Sequence, residues 1–294
     1  MEIKPSPKTG PQPLSLVEDL GLNEAKNICS TCGTRIATQV PLPELCPICN
    51  DDRQYIGPFG QQWTSYPELF ASRQIEIKTL FDGLHSFQVV PQFAIGQRAF
   101  FLESPAGNIL WDCIPFLDAP TVNFIQERGG LKAIAISHPH YYSLMAEWAE
   151  VFDCPIYIHR ADQQWVFSDR ERIHFWDGEK HILWDGMALI NTAGHFEGSS
   201  VLHVPHAAHG ILLTGDSIYV CPNRRQLTFM YSYPNHIPLP KKAINRIASS
   251  LNELSFEKVY SAFPWGNIEA DGRAMVDASI NHYLAILEDR VPAR

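Results

Sequence analysis

Apolar and polar positions alternate in short runs through the middle of the chain. Ile75 to Leu80, Phe87 to Val90, Ala99 to Glu103 and Asn108 to Trp111 each read as a β-strand, separated by turns such as Pro105-Ala106-Gly107-Asn108. Asp118 predicts the start of a helix through Arg128, and Gly129-Gly130 its end. Leu131 to Ile136 is then apolar almost throughout, the pattern of a buried strand. A helix over about 143–152, a strand at Ile156 to His159 and a short helix around Gln163 to Phe167 follow. Strands are expected around Ile173 to Phe175, Ala188 to Thr192, Val201 to Val204 and Ile211 to Thr214. Lys241 to Leu254 reads as a helix, Lys258 to Tyr260 as a strand and Asp271 to Leu287 as a final helix. Runs of strands, then α/β alternation, then strands again predict an α+β fold of two sheets packed face to face with helices outside. With 294 residues, 45% of them hydrophobic, the chain can bury one large core and carry a small domain besides.

The ends and the charge balance narrow the class. Residues 1–24 are rich in proline, lysine and serine and read as an N-terminal arm with a short polar helix. No stretch approaches the roughly 20 apolar residues that cross a bilayer, so a soluble, cytoplasmic protein is expected, with no membrane partner. A formal net charge of −9 argues against a protein that binds nucleic acid by neutralising phosphates. Of the seven cysteines, Cys113, Cys154 and Cys221 sit in no metal pattern and read as free thiols in a reducing compartment.

The other four form Cys29-Ser30-Thr31-Cys32-Gly33 and Cys46-Pro47-Ile48-Cys49-Asn50. Each C-x-x-C turns two thiolates toward one ion, and the Gly or Asn that follows accepts the left-handed turn the knuckle requires. Two knuckles in one short segment predict a closed, structural four-cysteine site. A zinc ribbon over 25–60 is the expectation, with a rubredoxin-like iron site as the rival. Such a segment is too small to fold on its own core, so the ion supplies much of its stability. Asp51 to Trp63 reads as the linker that docks the ribbon on the domain spanning 61–294. The ribbon is also a candidate surface for a protein partner or a second copy.

Four predicted strands end in residues suited to a metal. These are His138-Pro139-His140, the turn Gly194-His195, the turn Gly215-Asp216, and Ser261 to Asn267. Function collects at loops held by a rigid scaffold, and neutral imidazole is the commonest ligand for zinc and iron. Asp112, His138, His140, His195 and Asp216 fall in an order that resembles the metallo-β-lactamase superfamily. There a strand ends in Asp, an H-x-H-x-D-H loop follows, then a Gly-His turn, a Gly-Asp turn and a late His. The resemblance covers about residues 75–290 and implies an αββα sandwich of two mixed sheets with outer helices.

By that resemblance His138, His140 and His195 hold one metal ion with Asp216. Tyr142 and Ser143 stand where the family has the loop Asp and His, and Trp265 where the late His belongs. The resemblance therefore implies one ion, zinc or iron, and a dismantled second site. The expected activity is a mononuclear metal-dependent hydrolase of a small ester, lactone, thioester or amide. Asp216, Tyr142 and His236 are its candidate catalytic groups. The alternatives are a non-catalytic metal-binding protein of this fold and a mononuclear iron oxidative enzyme.

Overall fold

In the computed structural model the described residues are 22, 25–38 and 41–290. The expected arm over 1–24 lies outside them, apart from Leu22, which is buried in the core. The cysteine segment comes first. Strand β1 (Ile28–Cys29) pairs antiparallel with β2 (Trp63–Thr64), so its hydrogen bonding runs four residues past Gly60. Helix α1 (Tyr66–Phe70) follows.

A seven-stranded sheet is built in chain order from β3 (Gln74–Phe81), β4 (Leu84–Val90), β5 (Arg98–Leu102), β6 (Ile109–Trp111), β7 (Ala133–Ala135), β8 (Ile156–His159) and β9 (Ile173–Trp176). Its first four strands are antiparallel and its last four parallel. Parallel neighbours need a crossover. Helix α2 (Ala119–Gln126) supplies it between β6 and β7, and α3 (Met145–Phe152) between β7 and β8.

The second sheet starts with β10 (Lys180–Ile182), β11 (Ala188–Asn191), β12 (Ser200–Val204) and β13 (Ile211–Leu213). The chain then makes two small hairpins, β14 (Tyr219–Val220) with β15 (Leu227–Thr228) and β16 (Met230–Ser232) with β17 (Ile237–Pro238). Helix α4 (Lys241–Leu251), β18 (Lys258–Tyr260), β19 (Asn267–Ile268) and α5 (Gly272–Leu287) complete it. β18 runs parallel to β13 and β19 closes the edge.

The two-residue period of a strand sorts the core into layers. Phe100 and Leu102 of β5 point between the sheets, where they meet Trp111, Leu202, Leu213 and Tyr260. Phe101, between them, points the other way and joins Phe87, Ile125 and Trp148 under α2 and α3. On the second sheet Leu212 faces Ile244, Ile247 and Val276 of α4 and α5, while Ile211 and Leu213 face inward. The result is the expected order of helix, sheet, sheet, helix. Burying each such side chain contributes roughly 1.5–3 kcal/mol.

The cysteine segment is built into this core. Cys29, Cys32, Cys46 and Cys49 are buried in the same cluster as Ile114, Phe116 and Trp148. The amide of Arg35 donates to the carbonyl of Ser143 at 3.1 Å, and the Arg35 guanidinium pairs with Glu147 on α3. Gly33 (φ +79°) lies flat on Pro115, where a β-carbon would sit 2.6 Å from that ring.

Several boundaries differ from the sequence expectation, for local reasons. The helix expected from residue 143 begins at Met145, because Pro139–Tyr141 first makes a 3-10 turn and Ser143 takes a φ of +45°. The small hairpins were not foreseen, since strands of two or three residues leave too short a run for alternation to register.

Candidate metal centres

Four thiols meet in the ribbon. Cys29 Sγ lies 3.7 Å from Cys49 Sγ, and Cys32 Sγ lies 3.8 Å from Cys46 Sγ. A tetrahedral ion with metal–sulfur bonds of about 2.3 Å separates its ligands by about 3.8 Å. The knuckles close through Gly33 N–H donating to Cys29 O (2.8 Å) and Asn50 N–H to Cys46 O (2.9 Å). Gln61 Nε2 donates to Cys29 Sγ at 3.3 Å, support that a thiolate draws from the end of the segment. Proton sharing with Cys29 pushes Cys32 well above the usual thiol range, so the cluster stays fully ionised only around a cation.

The second cluster gathers from four strand ends. At the end of β6, Asp112 turns with φ +62° and its Oδ1 accepts the Ser137 amide at 2.7 Å. Burial, opposed by His138, pushes the Asp112 carboxyl up to about 7. Ser137 Oγ lies 2.8 Å from His138 Nδ1, which leaves Nε2 to face inward. His195, in the turn between β11 and β12, donates Nδ1–H to the Tyr231 carbonyl at 2.9 Å. That bond fixes the tautomer and presents the Nε2 lone pair to the cluster. Gly215 precedes Asp216 with φ +52°, where a β-carbon would stand 2.3 Å from Ser137 Oγ. Only glycine lets this turn lie against the histidine loop.

The inward atoms sit at ligand spacing. His140 Nδ1 and His195 Nε2 are 3.2 Å apart, His138 Nε2 and Asp216 Oδ2 are 3.4 Å, and His195 Nε2 and Asp216 Oδ2 are 3.9 Å. One ligand atom from each of the four residues falls within 4.8 Å of all the others. A tetrahedral ion at about 2.0–2.1 Å from each ligand implies separations of about 3.3 Å.

The protonation states also fit a cation. Burial first, then the neighbouring histidines and Arg53, hold His140 well below the ordinary imidazole value. Burial and His138 push His195 down to about 3, so both rings are neutral at physiological pH. Burial raises Asp216, but the neighbouring His138 and His195 and the Tyr141 hydroxyl outweigh it and hold the carboxyl below its ordinary value. His138 Nε2 is buried without a hydrogen-bond partner, an orphaned polar atom that a cation would satisfy.

Other predicted positions fall elsewhere. Tyr142 is buried, with its hydroxyl 3.4 Å from the Asp162 carbonyl; it does not turn toward the histidines. The tyrosine that reaches the cluster is Tyr141, whose hydroxyl donates to Asp216 Oδ1 at 2.5 Å. By the resemblance it is Tyr142 that stands where the family has its loop Asp. The 3-10 turn instead brings positions three apart onto one face, and the His138 and Tyr141 rings lie 4.3 Å apart. Ser143 Oγ accepts from Gln97 Nε2 at 3.1 Å, on the ribbon side of the loop. His236 is exposed at the tip of the β16–β17 hairpin. Trp265 is 44% exposed, stacks on Phe263 and places its Nε1 3.3 Å from Tyr219 Oη.

Asp162 accepts the Gly198 amide at 2.8 Å and braces the loop that carries His195. Arg53, which the sequence did not single out, places its guanidinium 4.4 Å from the Phe196 ring and 4.7 Å from Tyr231.

Residues 94–250 match the family model described as the metallo-beta-lactamase superfamily. The uncharacterized protein YmaE of Bacillus subtilis (strain 168) is 45% identical over 240 residues, which cover 80% of this chain and 88% of YmaE. Among solved structures, the DIM-1 metallo-beta-lactamase superposes with a TM-score of 0.54 at 13% identity, covering 71% of this chain and 96% of that one. FIM-1 from Pseudomonas aeruginosa, in its mono-zinc form, does so with 0.51 at 15% identity, covering 75% and 98%. At these identities the structural matches carry the fold alone, whereas the family model covers just over half of the sequence. The chain belongs to the metallo-beta-lactamase superfamily.

Proposed function

We propose that the chain is a mononuclear metal-dependent hydrolase of a small ester, lactone, thioester or amide, with a second, structural zinc in the four-cysteine ribbon. The observation that carries the reading is the Tyr141–Asp216 hydrogen bond. Where a second cation would draw on Asp216, the carboxylate's Oδ1 is occupied by the Tyr141 proton, and Oδ2 alone faces His138 and His195.

His138, His140 and His195 would hold one zinc or iron ion with Asp216; three imidazoles and a carboxylate suit either. When bound, such an ion lowers the pKa of water toward neutrality and polarises a carbonyl oxygen. The chain's own residues do the rest. Ser137 and the Tyr231 carbonyl orient two of the rings, and Asp112 holds Ser137 in place. Tyr141 keeps Asp216 ionised and in one rotamer. Burial raises the Tyr141 phenol well above its ordinary value, so it acts as a hydrogen-bond donor and does not ionise. The Asp216 side chain is slightly more exposed than those of His138 and His195, which suits a small substrate approaching from the Asp216 side.

Metal analysis of the purified protein should give about two ions per chain. His195→Ala should lose one and keep the other. Unchanged metal content in that variant would remove the assignment. A panel of small esters, lactones, thioesters and amides then identifies the bond cleaved.

A further inference from the structure

The geometry points to Arg53, supplied by the ribbon, as the residue that selects a substrate carrying a carboxylate. The inference rests on the reading of the histidine cluster as a one-cation site.

Arg53 lies four residues beyond Cys49, and the β16–β17 hairpin grips the chain around it. Ser232 Oγ donates to the Arg53 carbonyl at 3.0 Å, and Asn235 Nδ2 donates to the carbonyls of Asp52 and Gln54, each at 3.0 Å. The guanidinium is thereby aimed onto Phe196 and Tyr231. These two residues bracket His195: Phe196 follows it in sequence, and the Tyr231 carbonyl receives its Nδ1 proton. The Phe196 ring is in turn 5.0 Å from His140 and 5.2 Å from His195. His138 lies 5.8 Å from the same ring, so the cation shares an aromatic neighbour with all three imidazoles.

One side of the fork is used, and on the other Nε has no acceptor. Asp51 Oδ1 accepts from Nη1 at 2.8 Å. Nε is buried with no hydrogen-bond partner. A guanidinium N–H kept from both water and an acceptor is costly, and a carboxylate relieves it with the bidentate geometry to which the Nε–Nη2 edge is suited. A clasp that only pinned the ribbon would need the stacking on Phe196 and Tyr231 and would not leave Nε unsatisfied. A substrate whose scissile group reaches the histidine cluster and whose acid group reaches Arg53 uses both.

Two thiol probes separate the possibilities on the full-length, zinc-loaded protein. 3-Mercaptopropionate and its neutral isostere 3-mercaptopropionamide share the metal-seeking sulfur and differ only in charge. By calorimetry the acid should bind about tenfold tighter than the amide. Added salt should shrink that preference. In Arg53→Gln the preference should fall to about threefold or less with amide affinity unchanged, and Arg53→Lys should keep part of it. Equal binding of acid and amide to the wild-type protein overturns the inference while leaving the cation site standing. So does a preference that survives Arg53→Gln, or a variant that weakens both thiols alike. Failure of both thiols to bind wild type overturns the one-cation reading and this inference with it.

Discussion

Replacing Tyr141 with Phe tests the feature on which the single-ion reading depends. The hydroxyl donates to Asp216 Oδ1 at 2.5 Å, and neither residue is more than 6% exposed. A hydrogen bond to a buried carboxylate is worth about 1.5–3 kcal/mol. Tyr141→Phe keeps the ring and its packing against His138 and removes only that bond. The carboxylate is then free to rotate away from the imidazoles. At about 1.4 kcal/mol per factor of ten, cation affinity should fall by about 10–100-fold, the range typical of lost partners to metal ligands. Competition for zinc with a chromophoric chelator measures this directly. Tyr142→Phe is the control, since its hydroxyl touches only the Asp162 carbonyl at 3.4 Å, and it should change affinity by about threefold or less. An unchanged or higher affinity in Tyr141→Phe would refute the reasoning, as would an equal loss in Tyr142→Phe.

Acidification should both release the ion and destabilise the fold. His195 is held down to about 3 in the folded chain and titrates near 6.5 when unfolded, so the unfolded chain binds more protons between those values. Stability from this group is fully present above about pH 6.5 and is lost as pH falls toward 3; a thermal midpoint flat across that window would contradict the assignment. Gly215→Ala, which drives a β-carbon against Ser137 Oγ at a positive φ, should cost at least about 1–2 kcal/mol in chemical denaturation and weaken the histidine ion. Tolerance of alanine there would show that the turn can relax away from Ser137. Cys46→Ser should lose the ribbon ion and lower the melting temperature of the whole chain in one transition. A separate early transition confined to the ribbon would speak against its shared core.

Much of this was legible in the sequence because its signals are local. C-x-x-C spacing determines a knuckle without help from the rest of the chain, and runs such as Phe100-Phe101-Leu102 announce a strand buried on both faces. The ordered set Asp112, His138, His140, His195 and Asp216 survives translation into space because each residue ends a strand and the strand ends meet. Tyr141 was hidden by a change of period. Three residues of 3-10 turn are too few to announce themselves, and they exchange the roles of two adjacent tyrosines. Arg53 was hidden by distance in sequence: nothing near it names Phe196 or Tyr231, which come to it only when the ribbon docks on the second sheet. His236 illustrates the converse, since an aromatic, proline-rich setting proved to be an exposed hairpin tip.

The ribbon touches the histidine site from two sides. After the first knuckle, Arg35 holds the Ser143 carbonyl through its amide and Glu147 through its side chain, where the His138–His140 loop turns into α3. After the second knuckle, Arg53 covers Phe196 and Tyr231, which flank His195. Both arms emerge a few residues beyond the knuckles, so an ion held by the four thiols would fix the separation of two braces that meet opposite halves of the imidazole cluster. A tail carried only for solubility or tethering would need neither brace. The Glu147–Arg35 pair is buried to 7% and 12% exposure, where losing either partner strands a charge away from water. The ribbon is therefore bound into the fold by contacts that are expensive to break singly, and those contacts fall on the two elements that carry the metal-binding histidines.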